Sequence, residues 1–325
     1  MTSNEHRGLS PVRATYIIIS HLDFYRMLES EFKCTGIQID LTDRCNAACL
    51  LCSRTQPGRV IETDITLEDI KKLATPEIKE MVFCGNYGDA SANRHLFDIV
   101  DHLVSVNCSI QLMTNGSAHS TSYWERLAKS MGEDNATVFD LDGATKESHE
   151  RYRLQTNFDK ILENAQAYIN AGGWAVWQMI KFPWNLDEID DARNMAKEMG
   201  FKNFRLVTSG RNESTIGMQI GAKIGKRFYS KIEPKCVDNN LLFVTARGNI
   251  AMCCWTAAEQ EQTMDLVNIR DYDSLTEALN SDKWKKYYAM MNGFKLPTCR
   301  KKCGNQIRCQ KSVENFADKE FHEPY

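Results

Sequence analysis

The segment Cys45-Asn46-Ala47-Ala48-Cys49-Leu50-Leu51-Cys52 carries three thiols in eight residues, spaced C-x3-C-x2-C. It follows Gly36-Ile37-Gln38-Ile39-Asp40-Leu41-Thr42, an apolar alternating run that reads as a strand. The thiols therefore sit on the loop after a strand, where βα architectures gather their chemistry. Three thiolates are one short of a closed four-thiolate site. Cysteine thiolates are the usual holders of iron–sulfur clusters, and three of them suit a [4Fe–4S] cube with one iron left open to a small ligand. The competing account is a structural zinc knuckle or three buried thiols. Zinc favours C-x2-C pairs supplied twice, or cysteine combined with histidine, and the nearest histidines, His21 and His95, are distant in sequence.

Outward from this loop, strands and helices alternate. Residues 67–73 read as a helix and 80–84 as a strand. Residues 95–106 read as a helix with Leu96, Ile99, Val100 and Leu103 on one face. A strand at 109–113, a helix at 122–131 and a strand at 137–141 follow, then the turn signal Asp142-Gly143. A helix at 158–171 ends at Gly172-Gly173, suited to a left-handed cap. A strand at 174–182, a helix at 186–199 closed by Gly200, and a strand at 204–208 complete the set. Six strands with short helical links predict an α/β fold whose parallel sheet curls into a barrel or partial barrel. A full eight-stranded barrel takes about 250 residues. Ahead of it, residues 1–34 hold a polar tail, a short apolar run and a helix starting near His21, too short for a separate leader-peptide recognition domain.

With 325 residues, 42% hydrophobic and 26% charged, the composition is that of a soluble globular chain of two domains. A net charge of −3 gives no footprint for nucleic acid or an anionic membrane. The longest early apolar piece, residues 16–19, is far short of a membrane span. No secretory signal pattern opens the chain, so a cytoplasmic location is expected. Disulfides are reduced there, which makes metal the better account of twelve cysteines. Cys34, Cys84 and Cys108 lie in or beside apolar runs and read as small core residues.

The cysteine loop at the end of a first strand resembles the signature of the radical S-adenosylmethionine (radical SAM) superfamily. The resemblance implies a partial (β/α)6 TIM-like barrel over residues 35–215, with Cys45, Cys49 and Cys52 as cluster ligands. The open iron of that family chelates the amino and carboxylate groups of SAM. Its reduced cluster cleaves SAM to methionine and a 5′-deoxyadenosyl radical, which removes a hydrogen atom from substrate. The family's usual aromatic residue before the third cysteine is Leu51 here. Cys84-Gly85-Asn86-Tyr87-Gly88-Asp89 occupies the place of the family's Gly-Gly-Glu element, which implies SAM-binding roles for Gly85 and Asn86. Thr114-Asn115-Gly116 matches another frequent element, implicating Thr114 and Asn115. Asp140-Leu141-Asp142-Gly143 resembles the family's Ser-Leu-Asp-Gly, with Asp140 suited to ribose hydroxyls. Arg153 is a candidate for the SAM carboxylate, since guanidinium matches that geometry; a solvated helix charge is the alternative. Tyr87, Asp89 and Gln178 are placed at the barrel mouth by position, and parity leaves open which of Trp177 and Gln178 points inward.

A second cysteine group lies beyond a basic, glycine-containing link. Cys236 precedes two apolar runs around Ala246-Arg247-Gly248-Asn249, which read as a β-hairpin that brings Cys236 and Cys253 together. Cys254 is expected on the hairpin's other side, because strand residues alternate. A helical stretch at 275–291 leads to Cys299, Cys303 and Cys309. This pattern resembles the SPASM/Twitch extension of radical SAM enzymes. It implies a small C-terminal cysteine-rich α+β domain over 216–325 with one auxiliary [4Fe–4S] cluster of the shorter Twitch type. Its ligands would be Cys236 and Cys253 with two of Cys299, Cys303 and Cys309; a zinc site on the same cysteines is the alternative.

The resemblance implies oxidative modification of a peptide or protein side chain, with an electron donor such as flavodoxin or ferredoxin. Dehydrogenation or rearrangement of a small sugar-like or nucleoside substrate is the other enzymatic reading. A non-catalytic metal-binding interaction protein is the reading from another class. No catalytic acid or base is legible.

Overall fold

The computed structural model describes residues 33–55, 62–208, 241–293 and 311–316. The six expected strands are all present: β1 Gly36–Ile39, β2 Glu80–Phe83, β3 Ser109–Thr114, β4 Ala136–Asp140, β5 Trp174–Ile180 and β6 Asn203–Val207. They pair in sequence order and all in parallel. Between them run α1 Leu67–Leu73, α2 Leu96–Ser105, α3 Thr121–Met131, the short α4 Lys146–Glu150, α5 Phe158–Asn170 and α6 Ile189–Met199. This is the α/β partial barrel that the alternation predicts. Two helices show how the sequence starts and stops them. In α2 the buried residues are Leu96, Ile99, Val100 and Leu103, one helical stripe. α6 ends at Gly200, whose φ of 89° suits a residue without a Cβ.

Parity divides the sheet into two faces. Ile37, Ile39, Met81, Phe83, Ile110, Leu112, Phe139, Trp177 and Phe204 join the main core beneath the helices. Trp124, Phe139, Tyr168, Phe201 and Trp177 form a run of ring contacts there, with centroids 5.2 to 6.2 Å apart. The other face lines the barrel interior with a small apolar group, Met113, Ala136, Val138, Trp174 and Val176, and with the polar Gln38, Gln111, Gln178, Asp140 and Arg205. Trp177 is thus the outward residue and Gln178 the inward one, where it donates to Asp140.

The hairpin expected in the C-terminal domain also forms, as β7 Leu241–Val244 and β8 Asn249–Ala251, antiparallel around Gly248. It continues the barrel's own sheet. β7 lies parallel against β1, with Gln38 opposite Phe243, and β9 Val267–Asn268 extends β8. At the opposite edge β10, Lys311–Asn315, runs antiparallel to β6. The helical stretch at 275–291 is two helices, α8 Leu275–Asn280 and α9 Asp282–Gly293, divided at Ser281. Its hydroxyl accepts from Trp284 N at 3.1 Å and starts the second helix.

Two expectations need correction. The strand of the hairpin stops at Ala251, so alternation does not govern Cys254. Cys253 caps α7, Cys254–Thr263, and Cys254 is its first residue. Cys84 is not a core thiol like Cys34 and Cys108. It is half-buried past the end of β2, beside the inward-facing Gln38, whose amide donates to its sulfur. The expected helix near His21 and the residues Cys236, Cys299, Cys303 and Cys309 lie outside the described residues.

Candidate active site

The cysteine loop lies over the carboxyl ends of the parallel strands and is tied down on three sides. Towards β3, Asn115 Nδ2 donates to Asn46 Oδ1 at 3.0 Å and approaches Cys45 Sγ at 3.6 Å, while Asn46 Nδ2 donates to Ser117 Oγ at 2.7 Å. Towards the loop after β4, Ala48 N donates to Leu154 O at 2.8 Å and Leu50 N to Tyr152 O at 3.2 Å. Before the first cysteine, Arg44 forms an ion pair with Asp64, and Arg44 O accepts from Asp89 N at 2.7 Å. Within the loop, Arg54 donates to Ala47 O at 2.7 Å.

Asp89 is the node of this network. Its carboxylate accepts from Thr114 Oγ1 at 2.9 Å, Asn115 N at 2.7 Å, Asn115 Nδ2 at 2.6 Å, Ser91 Oγ at 2.7 Å and Ser91 N at 3.0 Å. It is 5% exposed. Thr114 and Asn115 are buried with it, and Thr114 Oγ1 also accepts from Gly116 N. The three therefore brace the cysteine loop with their side chains. The glycines of the loop after β2 serve a similar end. A Cβ on Gly85 would stand 1.5 Å from Gly88 O, and one on Gly88 would stand 2.0 Å from Thr42 O. Their missing side chains let this loop fold on itself and against the segment that leads to Cys45. Asn86 joins the loop to two other elements: its N donates to Asp40 Oδ1 at 2.7 Å and its side chain to Cys254 O at 3.1 Å.

On the β4 side, Arg153 donates through Nε to Asp142 Oδ2 at 2.7 Å, and its Nη1 stands 3.2 Å from Asp140 Oδ2. Asp142 accepts from Ile180 N at 2.7 Å, and its own N donates to His149 Nδ1 at 3.1 Å. Burial, with the nearby Arg153 charge, pushes the His149 pKa down to about 3, so the ring is neutral with Nδ1 as acceptor. Burial raises the Asp140 carboxyl, against the opposing pull of Arg153. Burial would also disfavour the Arg153 charge, but Asp140 and Asp142 hold its pKa well above the ordinary value. Gln178, Asp140 and Arg153 are thus brought together, as are Thr114, Asn115 and Cys45; Asn86 meets Asp40 and Cys254 instead, and Gly85 lies against Gly88.

The loop suits a metal cluster. Cys45, Cys49 and Cys52 are outside any disulfide. Ala47 N donates to Cys45 Sγ at 3.3 Å, a bond that favours sulfur bearing negative charge. Burial pushes the Cys45 thiol up to about 12 and raises Cys49, with Arg153 pulling Cys49 back. Metal binding to these thiols must displace their protons. Among the described residues, no three His, Cys, Asp or Glu side chains converge on the position of a single metal ion.

Sequence reasoning missed Asn46, Ser117 and Asp40. Asp40 was within reach of parity, since it continues the inward face of Gln38. Asn46 and Ser117 carry no local signal, because what matters is a bond across 71 positions.

Residues 39–196 match the family model described as the radical SAM superfamily. Comparison with curated protein sequences gives no match. Among solved structures the fold is similar to Streptococcus suis SuiB bound to precursor peptide SuiA, with a TM-score of 0.60, 12% identity, and coverage of 80% of this chain and 68% of that one. It is similar to anSMEcpe with bound AdoMet at a TM-score of 0.56 and 15% identity, covering 81% of each chain. For anSMEcpe with bound AdoMet and Cp18Cys peptide the TM-score is 0.54 at 15% identity, covering 81% of this chain and 84% of that one. At these identities the likeness is one of fold.

Proposed function

We propose that this chain, whose residues 39–196 match the radical SAM superfamily model, is a radical SAM enzyme that oxidatively modifies a peptide or protein side chain. The observation that carries the reading is the braced loop of Cys45, Cys49 and Cys52 above the parallel strands, with an N–H donor aimed at Cys45 sulfur. Those three thiolates would hold a [4Fe–4S] cluster, which when bound and reduced splits SAM to give a 5′-deoxyadenosyl radical. The loop from Gly85 to Asp89 would wall the amino end of SAM, and Asp140 would stand near its ribose. Thr114 and Asn115 would act by holding the cysteine loop in place. Residues 216–325 would supply an auxiliary [4Fe–4S] cluster from Cys236, Cys253 and two of Cys299, Cys303 and Cys309. A low-potential carrier such as flavodoxin or ferredoxin would deliver the electron. No helix among the described residues is long and apolar enough to cross a membrane.

The peptide reading draws support from two structural neighbours solved with peptides. The polar interior formed by Gln38, Gln111, Gln178 and Arg205 favours a second reading, a small polyhydroxylated or nucleoside substrate. Turnover of a free polyol, against a mass change in a co-expressed peptide, separates the two.

The test is iron and sulfide content after anaerobic reconstitution, with 5′-deoxyadenosine formation under reductant and SAM. Wild type should hold about eight irons, and the Cys45/Cys49/Cys52→Ala variant about four and no 5′-deoxyadenosine. Bound zinc in place of the remaining four would remove the auxiliary cluster. Product at the wild-type rate from Cys49→Ala would overturn the enzymatic reading, and no product from wild type would favour a non-catalytic metal-binding protein.

A further inference from the structure

We propose that Arg153 is the electrostatic counterion of the cluster on Cys49, a positioning residue that eases its reduction, and not the clamp for the SAM carboxylate. The inference rests on the radical SAM reading above and concerns one residue within it. Its basis is register. The bonds from Ala48 N to Leu154 O and from Leu50 N to Tyr152 O bracket a single facing pair, Cys49 and Arg153. The two bonds hold these backbones side by side, and the Arg153 charge acts on the Cys49 sulfur, opposing the rise that burial imposes on the thiol. Around them Leu50 and Leu154 are exposed, whereas Tyr152 and Arg153 are buried.

The guanidinium is fixed before any ligand arrives. Nε is engaged by Asp142 and Nη1 by Asp140, and Arg153 is 8% exposed. Each carboxylate is fixed in turn, Asp142 by Ile180 N and Asp140 by Gln178. A SAM carboxylate that approached Arg153 would add a third acid beside two already paired with one cation. The thiolate of Cys49 is an anion the chain itself places within reach of the Arg153 charge, which there opposes Asp140 and Asp142. Reduction adds one electron, hence one negative charge, to whatever Cys49 ligates. A fixed cation on that side favours the reduced form, and the net charge around a cluster is one of the terms that sets its potential. Removing the cation leaves Asp140 and Asp142 facing the cluster unopposed, in surroundings where charge is poorly screened.

The experiment is an EPR-monitored redox titration of the anaerobically reconstituted full chain at pH 8 without SAM. The signal followed is the one missing from the Cys45/Cys49/Cys52→Ala variant. At the wild-type midpoint, Arg153→Gln should lower the reduced-to-oxidised ratio by about tenfold, which is about 59 mV for a one-electron couple. Arg153→Lys should stay close to wild type. Asp140→Asn should raise the ratio, and combined with Arg153→Gln it should bring the ratio back towards wild type. An unchanged midpoint in Arg153→Gln, with SAM affinity lost, would make Arg153 the carboxylate clamp and overturn the inference. If Arg153→Gln takes up no iron, Asp140→Asn decides: a raised ratio supports the counterion, and an unchanged one overturns it. Absence of that signal from wild type would instead remove the radical SAM reading on which the inference stands.

Discussion

Cys49 and Arg153 face each other between two backbone hydrogen bonds, from Ala48 N to Leu154 O at 2.8 Å and from Leu50 N to Tyr152 O at 3.2 Å. The cysteine loop and the segment after α4 are therefore one structural unit, although 104 positions part the two residues. That unit has its own backing. His149 accepts from Asp142 N, Asp142 fixes Arg153, and Thr156 hydrogen-bonds both His149 Nε2 and Arg153 O. A disturbance at His149 reaches Cys49 through two intermediates.

His149 makes stability depend on pH. Its folded pKa of about 3 lies below the ordinary histidine value of 6.5. The unfolded chain takes up a proton below pH 6.5 that the folded chain refuses. The neutral ring's contribution is thus complete above pH 6.5 and is lost as pH falls from there towards 3, at about 1.4 kcal/mol per pH unit. His149→Gln keeps an acceptor and a donor without the titration. Urea melts should show wild type losing about 2 kcal/mol more than this variant between pH 7.5 and pH 5. Equal losses would mean that the ring is already protonated in the fold.

Asp89→Asn turns an amide towards groups that already donate. Thr114, Asn115 and Ser91 all point hydrogens at this carboxylate. The expected loss is about 3 kcal/mol, with less iron retained on the loop because Asn115 loses the anchor that holds it at Cys45. Asn115→Ala should cost only about 1 kcal/mol yet lower iron to a similar degree. Thermal melts and iron per chain measure both. Full iron in Asp89→Asn would show that the node does not support the loop.

Gly88→Ala should be among the costliest small changes in the protein. Its Cβ would meet Thr42 O at 2.0 Å, a backbone atom in the segment leading to Cys45. Neither side can swing away, and about 3 kcal/mol is expected from the forced displacement. Gly172 has φ of 92° but nothing within 4 Å of a Cβ, so Gly172→Ala should cost only about 1 kcal/mol of backbone strain. Denaturant midpoints compare them directly, and parity between the two would mean that the loop after β2 yields easily.

The barrel was legible because its signals are local. Leu96, Ile99, Val100 and Leu103 announce a helix by spacing alone, and Gly200 announces its end. The cysteine loop was legible from three residues in one short stretch. The bracing was not. Asp89 reads as a barrel-mouth acid from its position in the chain, yet its partners Thr114 and Asn115 come from the next strand end, and only the parallel register of β2 and β3 puts them beside it. Arg153 likewise reads as a ligand-binding cation, and nothing near it in the chain announces its pairing with Asp140 and Asp142. The hairpin was legible as a hairpin, but its attachment to β1 was not, because an apolar strand such as Leu241–Val244 does not say which edge it joins.

That attachment has a second fastening in Asp69 and Arg270, which are 201 positions apart. Asp69 closes a capping box with Thr66 at the start of α1. It also accepts from Arg270 Nε at 3.1 Å and Nη2 at 3.0 Å, just beyond β9. Burial would raise the Asp69 carboxyl, but the Arg270 bonds hold it below its usual value. Its contribution is therefore present above the ordinary carboxylate pKa and is lost as pH falls through the folded value. The Arg270 side chain is 41% exposed, which limits the pair to about 1 kcal/mol. Arg270→Met should cost about that much at pH 7, and Asp69→Asn about 2 kcal/mol because the cap is weakened as well. A double-mutant cycle should return a coupling of about 0.5–1 kcal/mol that fades below about pH 4. A coupling that persists at that pH would mean that the contact works by packing and not by charge, and the β1–β7 pairing, apolar burial and the Asn86 bond to Cys254 O would then hold the hairpin to the barrel without help from that charge.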